Sequence, residues 1–349
     1  MFRGRSGGRR ASESGSHPPR SLLKQAAVSI FGTAYRLMGF KLRRHLGRLP
    51  AVKRVHQRLT RSLLCTPADG TGLLRASVHG FEMYVDAREV RAGLFLRDNR
   101  RALTAVFESL ISPGDTVVEV GAHVGYFTLV AAKRCGEHGK VVAFEPDPHN
   151  YAILLKNVQA NHLNYVDAVQ AAVADQTGEL TLHLAGSSFM HSLGEVAADP
   201  KAEKVRVNCV TLDDFAAKFP IEPSLIKIDI EGAEPRAFAG MRSLLARLPR
   251  VNMIVEFLPH YLGAEGARAF LSTLFQSGFQ VAIIDDRRYQ VATGSFDQLL
   301  ARAWDDVAQG HVTNLLCQRA EGCDMAAQSS ADGLGHGSIG HALPKRVHL

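Results

Sequence analysis

At 349 residues, with 46% apolar and 7% aromatic content, the chain can fill one large globular domain with extensions, and a fibrous or wholly disordered polymer is excluded. The net charge of +7 is uneven: residues 1–65 carry 15 Lys or Arg against the single acid Glu13, which leaves the remainder at −7. A basic arm on an acidic body assigns any anionic partner to the arm. The five cysteines, Cys65, Cys135, Cys209, Cys317 and Cys323, are odd in number and widely spaced, so they form neither a disulfide framework nor a metal-ligand pattern; a reducing, cytoplasmic setting is expected.

Residues 1–20 are rich in Arg, Gly and Ser and are expected to form a disordered basic tail. Residues 21–70 read as a basic helical extension, in which Leu22, Leu23, Ala26, Ala27, Ile30, Phe31, Ala34, Leu37 and Met38 recur at helical spacing among Lys24, Arg36, Lys41, Arg43 and Arg44. Packing on the domain is the commoner fate of such a stripe. The sharper alternative is a peripheral membrane contact through residues 21–64. There is no apolar run of about 20 residues to span a bilayer and no hydrophobic core of a secretory signal, although an Arg- and Ser-rich start also suits an organelle transit peptide.

The globular body is placed at residues 71–320, and a disordered tail, rich in Gly, Ser and His, at residues 321–349. Gly72 to Asp86 predicts a hairpin turning at Gly80, and Arg97 to Leu110 a helix. The stretch VVEVGAHVGYFTL, from Val117 to Leu129, then predicts a buried strand, a glycine turn and the first turn of a helix. Gly121 and Gly125 allow close approach of backbone to a ligand, with helix amides beyond. Glu119 beside the turn suits a ligand carrying an amine or hydroxyl and suits a pyrophosphate badly. Lys140 to Phe144 is the next strand, and it ends on Glu145, 24 residues after Gly121. An acid about 20 residues past such a turn commonly accepts from ribose hydroxyls. With Ala122 and His123 after the first glycine, the dinucleotide pattern G-x-G-x-x-G is absent, which favours S-adenosylmethionine over NAD.

Further along, His149 to Asn161 predicts a helix with Ile153, Leu154 and Val158 on one face, and Val166 to Val173 a strand. Glu179 to Leu184 and Val205 to Val210 read as two more strands around a Ser-rich loop at residues 186–192. Thr211, followed by Asp213 and Asp214, caps a short helix. Leu225 to Ile230, Met253 to Phe257, Phe279 to Ile284 and Val312 to Cys317 are the remaining strands, with helices between them. This alternation predicts an α/β fold with a mostly parallel sheet wound on both sides.

The block IKIDIEGAE, from Ile226 to Glu234, carries the second constellation. Lys227, Asp229 and Glu231 alternate along the expected strand and so share a face. Charges among isoleucines cost free energy unless paired or used. Asp229 would orient the cofactor's amine or the acceptor, and Glu231 or Glu234 would take a proton from a hydroxyl. The plainer alternatives are an internal Lys227–Asp229 ion pair and, for Glu234, a helix start before Pro235. Glu256 and His260, at the exit of the following strand, would face an acceptor. His123, His183 and His191 are single histidines of the kind that is more often structural, and no metal site is expected.

VVEVGAHVGYFTL, AFEPDPHNYAILLKNVQAN, AAVADQTGELTL, VTLDDF and IKIDIEGAEPRAFAG together resemble, in order and spacing, the FkbM-type family of S-adenosylmethionine-dependent methyltransferases, over roughly residues 90–285. The resemblance implies a seven-stranded, Rossmann-like class I methyltransferase fold and methyl transfer to an oxygen, often a hydroxyl of a sugar or natural product. By motif, Glu119, Gly121 and Gly125 fall on its cofactor loop, Glu145 on its ribose carboxylate, and Asp229, Glu231 and Glu234 on its K-I-D-x-E-G-x-E block. Where the family usually has Asp and Asn in the first block, this chain has Glu119 and His123. The expected function is an O-methyltransferase acting on a sugar, glycolipid or natural product, that is, a small-molecule or glycan acceptor. The alternatives are an NAD(P)-dependent oxidoreductase on the same sheet and a catalytically silent cofactor-binding protein. Nucleic acid is disfavoured as acceptor, because the basic arm has no aromatic interleaving.

Overall fold

The computed structural model describes residues 66–67, 72–86, 101–184 and 203–319. The expected tails at 1–20 and 321–349, the helical extension apart from residues 66–67, and the loop at 186–192 lie outside the described residues.

Strands β1 (Leu73–Val78) and β2 (Phe81–Asp86) form the expected antiparallel hairpin, with Gly80 at φ 89° in the turn. Helix α1 (Arg101–Ser109) lies within the expected Arg97–Leu110 helix, whose first four residues fall outside the described residues. It leads into β3 (Thr116–Val120), α2 (Tyr126–Cys135), β4 (Lys140–Phe144) and α3 (Pro148–Ala160). Helix α3 begins where it does because Asp147 accepts from the Asn150 N–H and Pro148 takes the first helical position, where its missing donor costs nothing.

The single strand expected at Val166–Val173 is two. β5 (Val166–Val169) stays beside β4, and the Ala171 N–H then donates to the Val169 carbonyl at 3.0 Å. That tight turn sends β6 (Ala172–Val173) into a second sheet with β7 (Gly178–Leu184) and β8 (Glu203–Val210), in the order β6-β8-β7. Helix α4 (Leu212–Lys218) follows, capped by Thr211 on the Asp214 N–H as its sequence requires.

The chain continues through β9 (Leu225–Ile228), α5 (Glu234–Ala239), α6 (Arg242–Arg247), β10 (Asn252–Phe257) and α7 (Pro259–Gln276), then β11 (Phe279–Asp285), β12 (Gln290–Thr293), α8 (Phe296–Ala308) and β13 (Thr313–Arg319). The main sheet runs β12-β11-β13-β10-β9-β3-β4-β5. It has eight strands rather than seven, because the short, largely exposed Gln290–Thr293 adds an edge that its sequence does not announce. The five strands from β10 to β5 are parallel, whereas β13 is antiparallel to both of its neighbours.

The sheet buries both faces. Val118, Val120, Ile226 and Ile228 point into one core with α4 to α7. Val117, Leu225 and Ile254 point into the other, with Phe127, Leu154 and the hairpin. On the second face, toward the carboxyl ends of the parallel strands, the apolar pattern gives way to Glu119 and Lys227, which stand opposite each other in register. Among the described residues, no helix is long and apolar enough to cross a membrane.

Candidate active site

The turn after β3 folds back on the sheet through paired amides. Gly121 N–H and Ala122 N–H both donate to the Phe144 carbonyl, at 3.0 and 2.9 Å. Gly121 is required by packing against backbone rather than only by room for a ligand, whereas the neighbour at Gly125 is a leucine methyl that can shift. A Cβ on Gly121 would lie 2.0 Å from the Asp229 carbonyl oxygen, and one on Gly125 would lie 2.6 Å from Leu154 Cδ1. Both also take φ near +90°, a conformation disfavoured for side chains. Between them His123 takes φ 52°, a left-handed conformation in which Asn, Asp and His are enriched, so histidine can serve where the family has asparagine.

Glu145, just past β4, is 6% exposed; its Oε2 accepts from the His123 N–H at 2.8 Å and its Oε1 from the Asp147 N–H at 3.0 Å. Two backbone donors hold the carboxylate over the turn, while burial raises it from 4.5 to about 7. Glu119, 1% exposed, accepts from the Thr128 hydroxyl at 2.5 Å. Burial raises it to about 7 as well, against the pull of the Lys227 ammonium and the Thr128 hydroxyl.

The second block departs from the expected strand. β9 stops at Ile228, and Asp229 follows with its N–H on the Val120 carbonyl at 3.0 Å. Ile230 to Gly232 then turn, with Glu231 at φ 52° and Gly232 at φ 94°, so the alternation that was to align Lys227, Asp229 and Glu231 ends before Glu231. The turn forms because Glu234 Oε1 accepts from the Ile230 and Gly232 N–H groups, at 3.2 and 3.1 Å. Glu234 is 1% exposed and raised by burial to about 7, and its Oε2 has no hydrogen-bond partner. The internal Lys227–Asp229 ion pair is present at 2.8 Å.

Glu119, His123, Glu145, Lys227, Asp229 and Glu231 all line one cleft, which encloses about 900 Å³ including its open mouth. Glu234 is not in its wall. Asp229, Glu231 and the buried Glu256 each bring one carboxylate oxygen within 4.8 Å of the others, a grouping that could accept a cation or several hydroxyls and that the alternation pattern did not foresee. His260 is exposed on the first turn of α7 and stacks on Tyr261. The sequence reading missed three parts of the site. Thr128 carries no motif, and the wall from Ala171 to Val173 with Leu182 exists only because β6 leaves the main sheet. Asn157, the third, is fully buried and donates to the Val124 carbonyl of the glycine turn at 2.7 Å while exchanging two hydrogen bonds with the Tyr84 backbone. Asn161, one turn later, does the same with Glu82, so the two amides clasp β2 to α3.

Residues 119–281 match the methyltransferase FkbM domain. The 31-O-demethyl-FK506 methyltransferase FkbM of Streptomyces tacrolimicus is 30% identical over 208 residues, covering 50% of this chain and 76% of its own length. The chain belongs to the FkbM family of methyltransferases. It is an S-adenosylmethionine-dependent methyltransferase on a class I α/β fold. Methyltransferase sdnD of Sordaria araneosa is also similar, 28% identical over 220 residues, 54% of this chain and 82% of that one. Among solved structures, the methyltransferase FkbM of Methylobacillus flagellatus KT aligns over 65% of this chain and 54% of its own length, with 14% identity and a TM-score of 0.37.

Proposed function

We infer that this enzyme methylates a hydroxyl oxygen of a sugar, glycolipid or natural product, and that Glu145 is the ribose carboxylate of its cofactor site. The observation that carries the cofactor assignment is the fixed geometry of Glu145: a buried carboxylate, pinned by two backbone amides at the end of the second parallel strand, over a glycine turn and beside an open cleft. A carboxylate held this way can accept from two neighbouring hydroxyls without reorganising. When bound, S-adenosylmethionine supplies an electrophilic methyl group on a sulfonium.

The chain's own groups divide the remaining work. Glu119 offers its anion to the methionine amine, and the amide-pinned turn at Gly121 and Gly125 shapes the floor beneath it. Asp229 and Glu231, on the cleft wall, orient the acceptor hydroxyl, and one of them takes its proton as the oxygen–carbon bond forms and the carbon–sulfur bond breaks. Glu234, occupied with the 230–232 turn, keeps Glu231 in place rather than meeting the acceptor. Positioning of the oxygen supplies most of the rate, because the donor is already activated. The acceptor is read as a small molecule or glycan, and the enzyme as cytoplasmic. Membrane contact through residues 21–64 stays a reading of sequence outside the described residues.

The test is calorimetric titration of wild type and Glu145→Ala with S-adenosylmethionine, S-adenosylhomocysteine and NADH. Micromolar binding of the first two, lost in the variant while NADH gives no heat, is expected. Radiolabelled methyl transfer to a panel of sugars and hydroxylated lipids then identifies the acceptor class. Heat from NADH alone, or from nothing, would overturn the cofactor assignment; binding without transfer to any acceptor would leave a silent binding protein.

A further inference from the structure

Lys227 is the largest charged side chain buried in the fold, 2% exposed, and no step above uses it. Its ammonium donates to Asp229 Oδ2 at 2.8 Å and lies 4.5 Å from the centroid of the Phe127 ring. Its backbone pairs in register with Glu119 on β3, so both side chains leave the same face of the sheet. A buried ammonium costs several kcal/mol unless it is paired, and Asp229 alone would satisfy that need. The site nevertheless sets a second carboxylate, Glu119, within its field, and all three groups line the cleft.

We propose that Lys227 is a positioning residue that acts on both cleft carboxylates: it fixes the rotamer of Asp229 through the ion pair and holds Glu119 as the anion that receives the cofactor. The proposal rests on the roles given above to Glu119 and Asp229. Among the described residues, Lys227 is the cation whose field acts on Glu119. On its own strand's far side it pairs with Ala143, which has nothing to titrate. From α2 it meets the neutral Thr128 hydroxyl, and from the β9 exit Asp229, which opposes its ionisation. Further along the cleft wall stand the acids Glu145 and Glu231, with the titratable ring of His123 on the glycine turn. Lys227 is therefore the buried cation paired in register with Glu119. The Phe127 face covers the ammonium and contributes cation–π attraction that a hydrated lysine would not need.

The experiment is S-adenosylhomocysteine titration from pH 6 to 9, with thermal melting, on wild type, Glu145→Ala, Lys227→Met and Lys227→Arg in full-length protein. Binding by wild type that is lost in Glu145→Ala establishes the cofactor site independently of Lys227. The expected result is that Lys227→Met weakens binding at least tenfold at pH 7 and moves the rise of affinity with pH upward by about one unit, while Lys227→Arg recovers most of both. Wild-type affinity and pH midpoint in Lys227→Met would overturn the proposal and leave the cofactor site standing. Should Lys227→Met unfold because Asp229 is stranded, the double variant Lys227→Met, Asp229→Asn is compared with Asp229→Asn alone. A further tenfold loss in the double supports action on Glu119, and equal affinities overturn it.

Discussion

Raising the pH of the apoprotein from 5 to 8 charges three carboxyls that the fold has removed from water. Glu119, Glu145 and Glu234 each rise from 4.5 to about 7, with burial as the leading cause. An acid whose folded value lies above its unfolded one favours the folded state while protonated, so this stability is fully present below about pH 4.5 and is lost as pH climbs through about 7. Linkage gives a loss of roughly 2 to 3 kcal/mol per group between pH 5 and 8. His260 acts with the opposite sign, since desolvation lowers it and protonation below 6.5 then opposes folding. Asp175, Asp214 and Asp285 are lowered below 3.8 and lose stability only under more acid conditions. Glu234→Gln isolates one group, because glutamine keeps the oxygen that receives the Ile230 and Gly232 N–H groups. Urea unfolding at pH 5 and 8 should show wild type losing stability across the interval and Glu234→Gln losing roughly 2 to 3 kcal/mol less. A wild-type stability that is level or rising over that range, or an equal slope in the variant, would refute the reasoning. Cofactor binding calls for anions at Glu119 and Glu145, so its affinity should rise over the same interval in which apoprotein stability falls.

Gly121→Ala should be among the most damaging single changes: its methyl would lie 2.0 Å from the Asp229 carbonyl oxygen at φ +85°, and a loss above about 4 kcal/mol is expected in denaturant unfolding. Asn157→Ala leaves the Tyr84 backbone and the Val124 carbonyl without their amide partner, and should cost about 3 kcal/mol by the same measurement. Thr128→Val removes the hydroxyl on Glu119 while keeping the volume. It should weaken S-adenosylhomocysteine binding about tenfold at pH 7 in calorimetry, since a hydrogen bond to a charged group is worth about 1.5 kcal/mol or more, with a smaller loss at pH 9.

The parts of this molecule that are legible in sequence are those fixed by local chemistry. The strand ending at Val120, the Glu145 position, the Thr211 helix start and the hairpin at Gly80 each follow from residues within a few positions of one another, whereas the Asp147 cap sets the following helix to begin one residue before the His149 reading. The break after Val169 was not legible, because Val166 to Val173 is apolar enough to read as one strand and only pairing with β8 divides it. The Asp229–Gly232 turn was hidden for a related reason: alternation of charge mimics a strand, while the carboxylate that bends the chain comes from Glu234, in the following helix. Gly121 was read as making room for a ligand, yet its missing Cβ first admits the backbone of Asp229, a neighbour 108 residues away in the chain. The direction of β13 has no signature at all in a pattern that records only alternation.

A bare strand edge is an invitation to another chain, and β2 has one edge turned away from β1. Asn157 and Asn161 close it. Two residues along a strand advance about 6.8 Å, and four along a helix about 6.0 Å, so amides one helical turn apart can each present an oxygen and an NH₂ to alternate residues of the strand, Tyr84 and Glu82. The pair imitates two rungs of a ladder without supplying a strand. Protection against edge-to-edge self-association is thus stored in two asparagines, one in α3 and one capping its C-terminus, the first of which also holds the glycine turn, and a variant that lost them would be exposed to aggregation at the same moment that it loosened its grip on the cofactor loop.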